Sequence, residues 1–161
     1  MFIRRFEEKD AAQVSALVIR ALRITNAKDY SAEEMEELAR RMQPEDILQR
    51  ASWTHMYVAG DGDRLIGCGA IGPYWGKTDE SSLFTIFVDP DCQGKGIGRA
   101  IVEALEQDEY GLRARRIEIP ASITALGFYE KMGYRKKPGC EEPDEEQLYR
   151  MEKFRGGQTS E

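Results

Sequence analysis

Apolar residues recur along this chain with two different periods, about 3.6 in some stretches and two in others, so helices and strands are both expected. Phe2 to Phe6 reads as a short first strand. In the following DAAQVSALVIRAL, Val14, Leu17, Val18 and Leu22 repeat at helical spacing and predict an amphipathic helix. Ser31 and Glu34 form a capping-box pattern ahead of Met35, Leu38 and Met42, which starts a second helical segment. Pro44 stops that segment, and EDILQRA offers another helical turn. Trp53 to Ala59 and Arg64 to Ile71 read as strands joined by a tight turn over Gly60 to Asp63, which makes a hairpin. Gly72 to Asp79 carries Gly, Pro and polar residues and reads as a loop.

Leu83 to Val88 (LFTIFV) is the strongest strand signal in the chain and is expected at the centre of a sheet. Beyond it come a helix from Ile97 to Leu105, a strand from Arg115 to Ile119 and a helix from Ala125 to Met132. Closing strands begin at Tyr134 and run from Gln147 to Phe154, with the acidic loop GCEEPDEE between them. The order is mixed α and β. Residues 1–154 are expected to form one domain, and 155–161, which has nothing to bury, a flexible tail.

At 161 residues one domain with a real core is the natural expectation. The net charge of −6 offers no basic face, so neither nucleic acid nor an anionic membrane is an expected partner. The amino terminus MFIRRFEEKD turns charged too early for a signal peptide and no apolar run approaches a membrane span, which together read as cytoplasmic. Cys68, Cys92 and Cys140 are odd in number, widely spaced and without a CxxC pattern, which argues against a disulfide framework and a structural zinc site. His55 is the only histidine, which makes a Ser/His/Asp triad or a two-histidine metal helix improbable.

Candidate chemistry sits directly after the central strand, where DPDCQGKGIGRAIVEAL joins it to a helix through a glycine-rich turn. Unpaired N–H groups at a helix start, aligned with the positive end of its dipole, bind anions, and glycines let phosphate oxygens approach the backbone. Gln93, Gly94, Lys95, Gly96, Ile97, Gly98 and Arg99 are the candidates. A dinucleotide fingerprint GxGxxG fails here, because its third glycine falls on Arg99 or on Ile101. A Walker loop fails too, since Arg99 and Ala100 stand where Lys and Ser or Thr are required.

The pattern that fits is Gln-x-x-Gly-x-Gly, in Gln93, Gly96 and Gly98, straight after a strand. Downstream, PASITALGFYEKMGY supplies a second motif through Ala125, Phe128, Tyr129, Glu130, Lys131, Gly133 and Tyr134. With this pair of motifs the sequence resembles the GCN5-related N-acetyltransferase (GNAT) family. The amino-terminal half matches only in its order of strand, two helices and hairpin.

The resemblance implies a mixed α/β fold: a mostly antiparallel twisted sheet of six to seven strands, flanked by helices, whose central strands splay. It implies an acetyltransferase using acetyl-CoA (coenzyme A) as co-substrate, with no metal, that passes the acetyl group directly to a primary amine on a small molecule or peptide. Main-chain groups of Phe87 and Val88 would bond the pantetheine arm and polarise the thioester. Tyr129 would protonate the departing thiolate. Ser122 stands where the family commonly has an asparagine that contacts the pantetheine, and Ala125, Phe128 and Lys131 complete the cofactor set. The glutamate base of some members is replaced here by Ser82, which leaves Glu80 and Glu118 as candidate bases. Trp53, His55, Tyr74, Trp75 and Phe84 are candidates for the acceptor pocket. The departure at Ser82 keeps open a second function, a non-catalytic acyl-CoA-binding sensor or regulatory module, and pairing into a homodimer is likewise left open.

Overall fold

A computed structural model describes residues 1–155 of the chain; the expected tail lies outside the described residues except for Arg155. Arg155 itself is tied down, its amide donating to Arg115 O at 2.9 Å and its guanidinium to Glu106 O at 3.1 Å.

Seven strands form one sheet: β1 (Phe2–Arg5), β2 (His55–Asp61), β3 (Arg64–Pro73), β4 (Glu80–Val88), β5 (Arg116–Ser122), β6 (Arg135–Lys136) and β7 (Leu148–Phe154), in the spatial order β1-β2-β3-β4-β5-β7-β6. Neighbours are antiparallel except β4 and β5, which run parallel. The expected central strand is the fourth of seven. Helices α1 (Ala11–Ile24), α2 (Ala32–Arg40) and α3 (Pro44–Trp53) precede the hairpin; α4 (Ile97–Gln107) and α5 (Glu109–Arg113) follow β4, and α6 (Leu126–Lys131) follows β5.

Local chemistry accounts for the helix boundaries. The capping box at Ser31 closes as expected, with the Glu34 amide donating to Ser31 Oγ at 3.0 Å and the Ser31 amide to Glu34 Oε1 at 2.9 Å. Pro44 opens α3, since its missing N–H is not needed in a first turn. That helix runs for ten residues rather than one turn, and takes in Trp53, where the residue pattern places the start of a strand. Its end is set by Thr54, whose hydroxyl donates to Arg50 O at 2.7 Å while its own backbone turns extended. Helix α5 has no apolar period to reveal it. It starts because Asp108 Oδ1 accepts the Tyr110 amide at 2.9 Å.

Two layers of helix cover the sheet. Val14, Leu17, Val18 and Leu22 of α1 pack with Met35, Ile47, Val58, Cys68 and Ala70 on one face. Ile101, Val102 and Leu105 of α4 pack with Ile71, Leu83, Ile117 and Tyr129 on the other. Gly67 and Gly69 on β3 allow that second contact, because a Cβ at either would come within 2.7 Å of the Ile101 side chain.

Two irregularities set the course of β4. Cys68 pairs with Phe87 and Ala70 with Phe84, so Thr85 and Ile86 together oppose Gly69 in a bulge, with Thr85 at φ 54°. The parallel pairing with β5 covers only Glu80↔Arg116, Ser81↔Ile117 and Ser82↔Glu118, while β5 stays paired with β7 along its whole length. Strands β4 and β5 therefore part after Ser82 and Glu118.

At the root of this fork lies a buried ion cluster. Arg116, 7% exposed, bonds Glu80 at 3.1 Å and Glu152 at 2.8 Å and lies 3.5 Å from Glu118. Removing one partner of such a cluster leaves charge without compensation. Arg116→Met is expected to lower the unfolding free energy by about 3 kcal/mol or more in urea titration. A loss under about 1 kcal/mol would show that the cluster does not hold the strands together.

Candidate active site

The glycine-rich turn is fixed at its base by Asp89, which is buried at the end of β4. Its carboxylate accepts the Arg20 guanidinium of α1 at 3.0 Å, Arg64 of β3 at 2.7 Å and the Asp91 amide at 2.8 Å. Burial by itself would raise the Asp89 pKa, but the Asp91 amide and the two guanidiniums outweigh it and hold the carboxyl below its ordinary range. Gly94 and Gly96 adopt φ of 75° and 80°, in the region that costs other L-residues strain, and a Cβ on either would meet open space.

Gly96 caps α4, whose first hydrogen bond is Ala100 N to Gly96 O at 3.1 Å. The amides of Ile97, Gly98 and Arg99 consequently have no carbonyl of their own helix to bond. Lys95 and Arg99 are exposed beside them, Arg99 within 3.6 Å of Glu103. Ile97 points into the core, so its contribution to this surface is its amide. Gln93 folds back and donates to Val88 O at 3.2 Å, bracing the loop on the strand.

The second motif lands against the first. A Cβ on Gly98 would stand 3.2 Å from the Phe128 ring of α6 and 3.7 Å from Val88, so this glycine is needed for close approach rather than for its φ. Tyr129 is 4% exposed among core residues, with its ring 5.0 Å from Phe128 and 6.0 Å from Tyr134. Burial pushes its pKa up, the nearby Cys68 adds to the rise, and no hydrogen bond acts on its hydroxyl. Ser122 accepts the Ala125 amide on its Oγ at 3.1 Å and keeps its own proton free to donate. Thr124, between them, has a buried hydroxyl with no partner. Lys131 closes α6 and is exposed.

Beyond Ser82, the edge of β4 that faces β5 has no strand to bond; by strand alternation Val88 turns to this edge, its carbonyl taken by Gln93, while Phe87 turns to Cys68 of β3. Strands β4 and β5 thus diverge from the ion cluster at the fork toward the glycine-rich turn, and the space between them is here called the gap.

The candidate bases differ in their surroundings. Glu80 has both oxygens engaged, Oε1 by Arg116 at 3.1 Å and Oε2 by Arg115 at 3.0 Å. Glu118 bonds Lys137 at 2.8 Å, and Arg116 lies 3.5 Å away, both through Oε2; Oε1 is left without a bond. Ser82 is buried beside them.

The aromatic candidates divide. Trp53 stacks edge-on against Phe84 at 5.0 Å, and Tyr74 covers Arg116 at 5.1 Å, so these three stand on the face of the sheet that carries α1 to α3. Trp75 is 85% exposed. His55 is on the opposite face, bonded to Asp108 at 2.8 Å and stacked on Tyr110 at 4.2 Å, and it does not join the others. Two residues near the gap carry no signal in the sequence. Thr85 lies inside an unbroken strand pattern, and Arg50 lies on a helix far away in the chain; Arg50 Nη1 reaches Thr85 Oγ1 at 3.4 Å.

Residues 26–153 match the family described as acetyltransferase (GNAT) domain. The ribosomal protein bS18-alanine N-acetyltransferase of Escherichia coli K12 is 42% identical over 59 residues, which is 35% of this chain and only 40% of that protein. An uncharacterized N-acetyltransferase of the same organism, YafP, is 25% identical over 132 residues, covering 82% of this chain and 79% of its own. Among solved structures, the PaiA N-acetyltransferase of Thermoplasma acidophilum in complex with coenzyme A superposes with a TM-score of 0.81 at 19% identity, over 96% of this chain and 98% of that one, a likeness of fold. With the family match running over most of its length and the paired motifs meeting in space, the chain belongs to the GNAT acetyltransferase family.

Proposed function

We propose that this protein transfers an acetyl group from acetyl-CoA to a primary amine of a small molecule or peptide, by direct attack while both substrates are bound. The reading is carried by the parting of β4 and β5, supported by the helix-start amides without a partner in their own helix and by the Tyr129 hydroxyl, which has no hydrogen bond. Coenzyme A in the Thermoplasma structure supports the choice of donor.

The residues present suit that donor. Amides from Gly94 to Arg99, with Lys95 and Arg99 nearby, would take the pyrophosphate. Main-chain groups of Phe87 and Val88 would bond the amide groups of the pantetheine and polarise the thioester carbonyl, as preorganised donors do for a developing oxyanion. Ser122 offers a further donor from β5, while Ala125 and Phe128 line the arm.

Tyr129 serves as the acid. Its raised pKa keeps the phenol protonated at neutral pH. The leaving thiolate is desolvated in the same space, which raises its proton affinity as well and keeps the transfer feasible. Direct attack is favoured over an acyl-enzyme because Cys68 is fully buried with its thiol pushed up to about 12, leaving almost no thiolate at neutral pH. Of the two carboxylates, Glu118 is the one with an oxygen free, so we assign it the amine proton, received directly or through water. Glu80 then serves to hold Arg115 and Arg116.

Tyr129→Phe is expected to lower kcat by about 10²-fold or more at unchanged affinity for coenzyme A, read by thiol release and by calorimetry. An unaltered kcat removes Tyr129 as the acid, and coenzyme A binding without thiol release for any amine supports the sensor reading instead. Activity is expected to rise with pH as the amine, of pKa near 10.4 in a simple alkylamine such as lysine, loses its proton. Because the Tyr129 pKa is shifted upward, the acid stays protonated and no descending limb is expected below about pH 10; a fall before that contradicts the assignment. Glu118→Gln is expected to cost about 10²-fold in kcat/KM at neutral pH, with the deficit shrinking as pH rises; a deficit that does not change with pH rules out its role as base.

A further inference from the structure

Arg50 is set apart from the other arginines that the surroundings perturb. Carboxylate partners raise the pKa of Arg4, Arg20, Arg23 and Arg116, whereas burial lowers that of Arg50. It is half-buried, and among the described residues no carboxylate lies within ion-pair distance. Its one side-chain bond is the long contact to Thr85 Oγ1 at 3.4 Å, so most of its five N–H donors have no protein acceptor. The guanidinium does not cap its own helix, because it reaches sideways to β4 while the Thr54 hydroxyl takes up the Arg50 carbonyl.

The position is as telling as the lack of a partner. Thr85 is the bulged residue of β4, two positions before Phe87, or roughly 7 Å along a strand. One turn further along α3, on the same helix face, Trp53 leans on Phe84 with half of its surface, 51%, exposed. A cation with no carboxylate in ion-pair contact, Asp46 one turn back acting on it only at longer range, and an open aromatic surface thus stand side by side, next to the proposed thioester site and on the face away from α4. An unpaired, partly desolvated guanidinium is a cost to the free protein that an anionic ligand group would offset.

Resting on the acetyltransferase reading, we infer that the acceptor is an amino acid with an apolar or aromatic side chain, its carboxylate paired with Arg50 and its side chain laid on Trp53 and Phe84. The amine attached to the same carbon is then held within one residue's span of the carboxylate, facing the main chain of β4. A tricationic amine such as spermidine meets repulsion at Arg50 and is a poor acceptor.

The test compares phenylalanine with phenylalaninamide, which keeps the ring and amine and loses the carboxylate. The amine of the amide deprotonates more readily, so intrinsic reactivity works against the inference. Full-length protein saturated with coenzyme A is titrated with each compound by tryptophan fluorescence, and kcat/KM is measured for each and for spermidine. Phenylalanine is expected to bind and to react at least about 10-fold better than phenylalaninamide. Arg50→Gln is expected to abolish that preference, with coenzyme A affinity unchanged, and Arg50→Lys to restore part of it. Equal handling of the two compounds, a preference for spermidine, a preference that survives Arg50→Gln, or no response to phenylalanine overturns the inference while coenzyme A binding persists. Failure of the wild-type protein to bind coenzyme A at all defeats the acetyltransferase reading itself.

Discussion

Two adjacent strands of one sheet, β4 and β5, exchange bonds over only three residue pairs and then separate, although β5 remains fully paired with β7 on its other side. A sheet that gives up a ladder in its middle exposes backbone donors and acceptors that have to be satisfied by water or by a ligand. Several features of the molecule can be traced to this gap. The bulge at Thr85 turns β4, Pro120 removes one donor from β5, and the buried cluster of Arg116 with Glu80, Glu118 and Glu152 holds the strands together at the point where pairing stops. Phe128 fills the space against Gly98 that would otherwise separate α6 from α4.

The same geometry divides labour along the cleft. On the proposed reading, the end at the glycine-rich turn meets charge spread over several oxygens, supplied by helix-start amides with Lys95 and Arg99 beside them. Asp89 keeps that end stiff by joining α1, β3 and the turn through one carboxylate. At the fork the charges are already paired, so the proposed chemistry rests on groups that remain without a close partner: the Tyr129 hydroxyl, Glu118 Oε1 and the Arg50 guanidinium.

Much of the fold can be read from the pattern of residues, and the reasons are local. Apolar spacing in α1 and α4, the capping box at Ser31 and the β-branched and aromatic run of β4 each act within a few residues, and each forms as expected. The paired motifs are legible because glycines at positive φ and a close ring contact tolerate few substitutes. What stays hidden depends either on a single capping side chain that no apolar period announces or on contacts distant in sequence. Trp53 extends a helix because Thr54 bonds back to it, and α5 exists because Asp108 caps it. His55 faces Asp108 on the far side of the sheet, a strand parity that its neighbours do not reveal. Glu80 and Glu118 look alike in sequence, and only their partners, Arg115, Arg116 and Lys137, tell them apart.

The central claim is that the parted strands receive the coenzyme. Backbone hydrogen exchange, with and without saturating coenzyme A, tests it most directly, because it reads the amides along β4, the glycine-rich turn and the end of β5 one by one. Slower exchange confined to Phe87, Val88, the amides from Gly94 to Arg99 and the turn from Ser122 to Ala125, with β1 and β2 unchanged, is the predicted result. Binding that protects another surface and leaves these amides exchanging as before would contradict it.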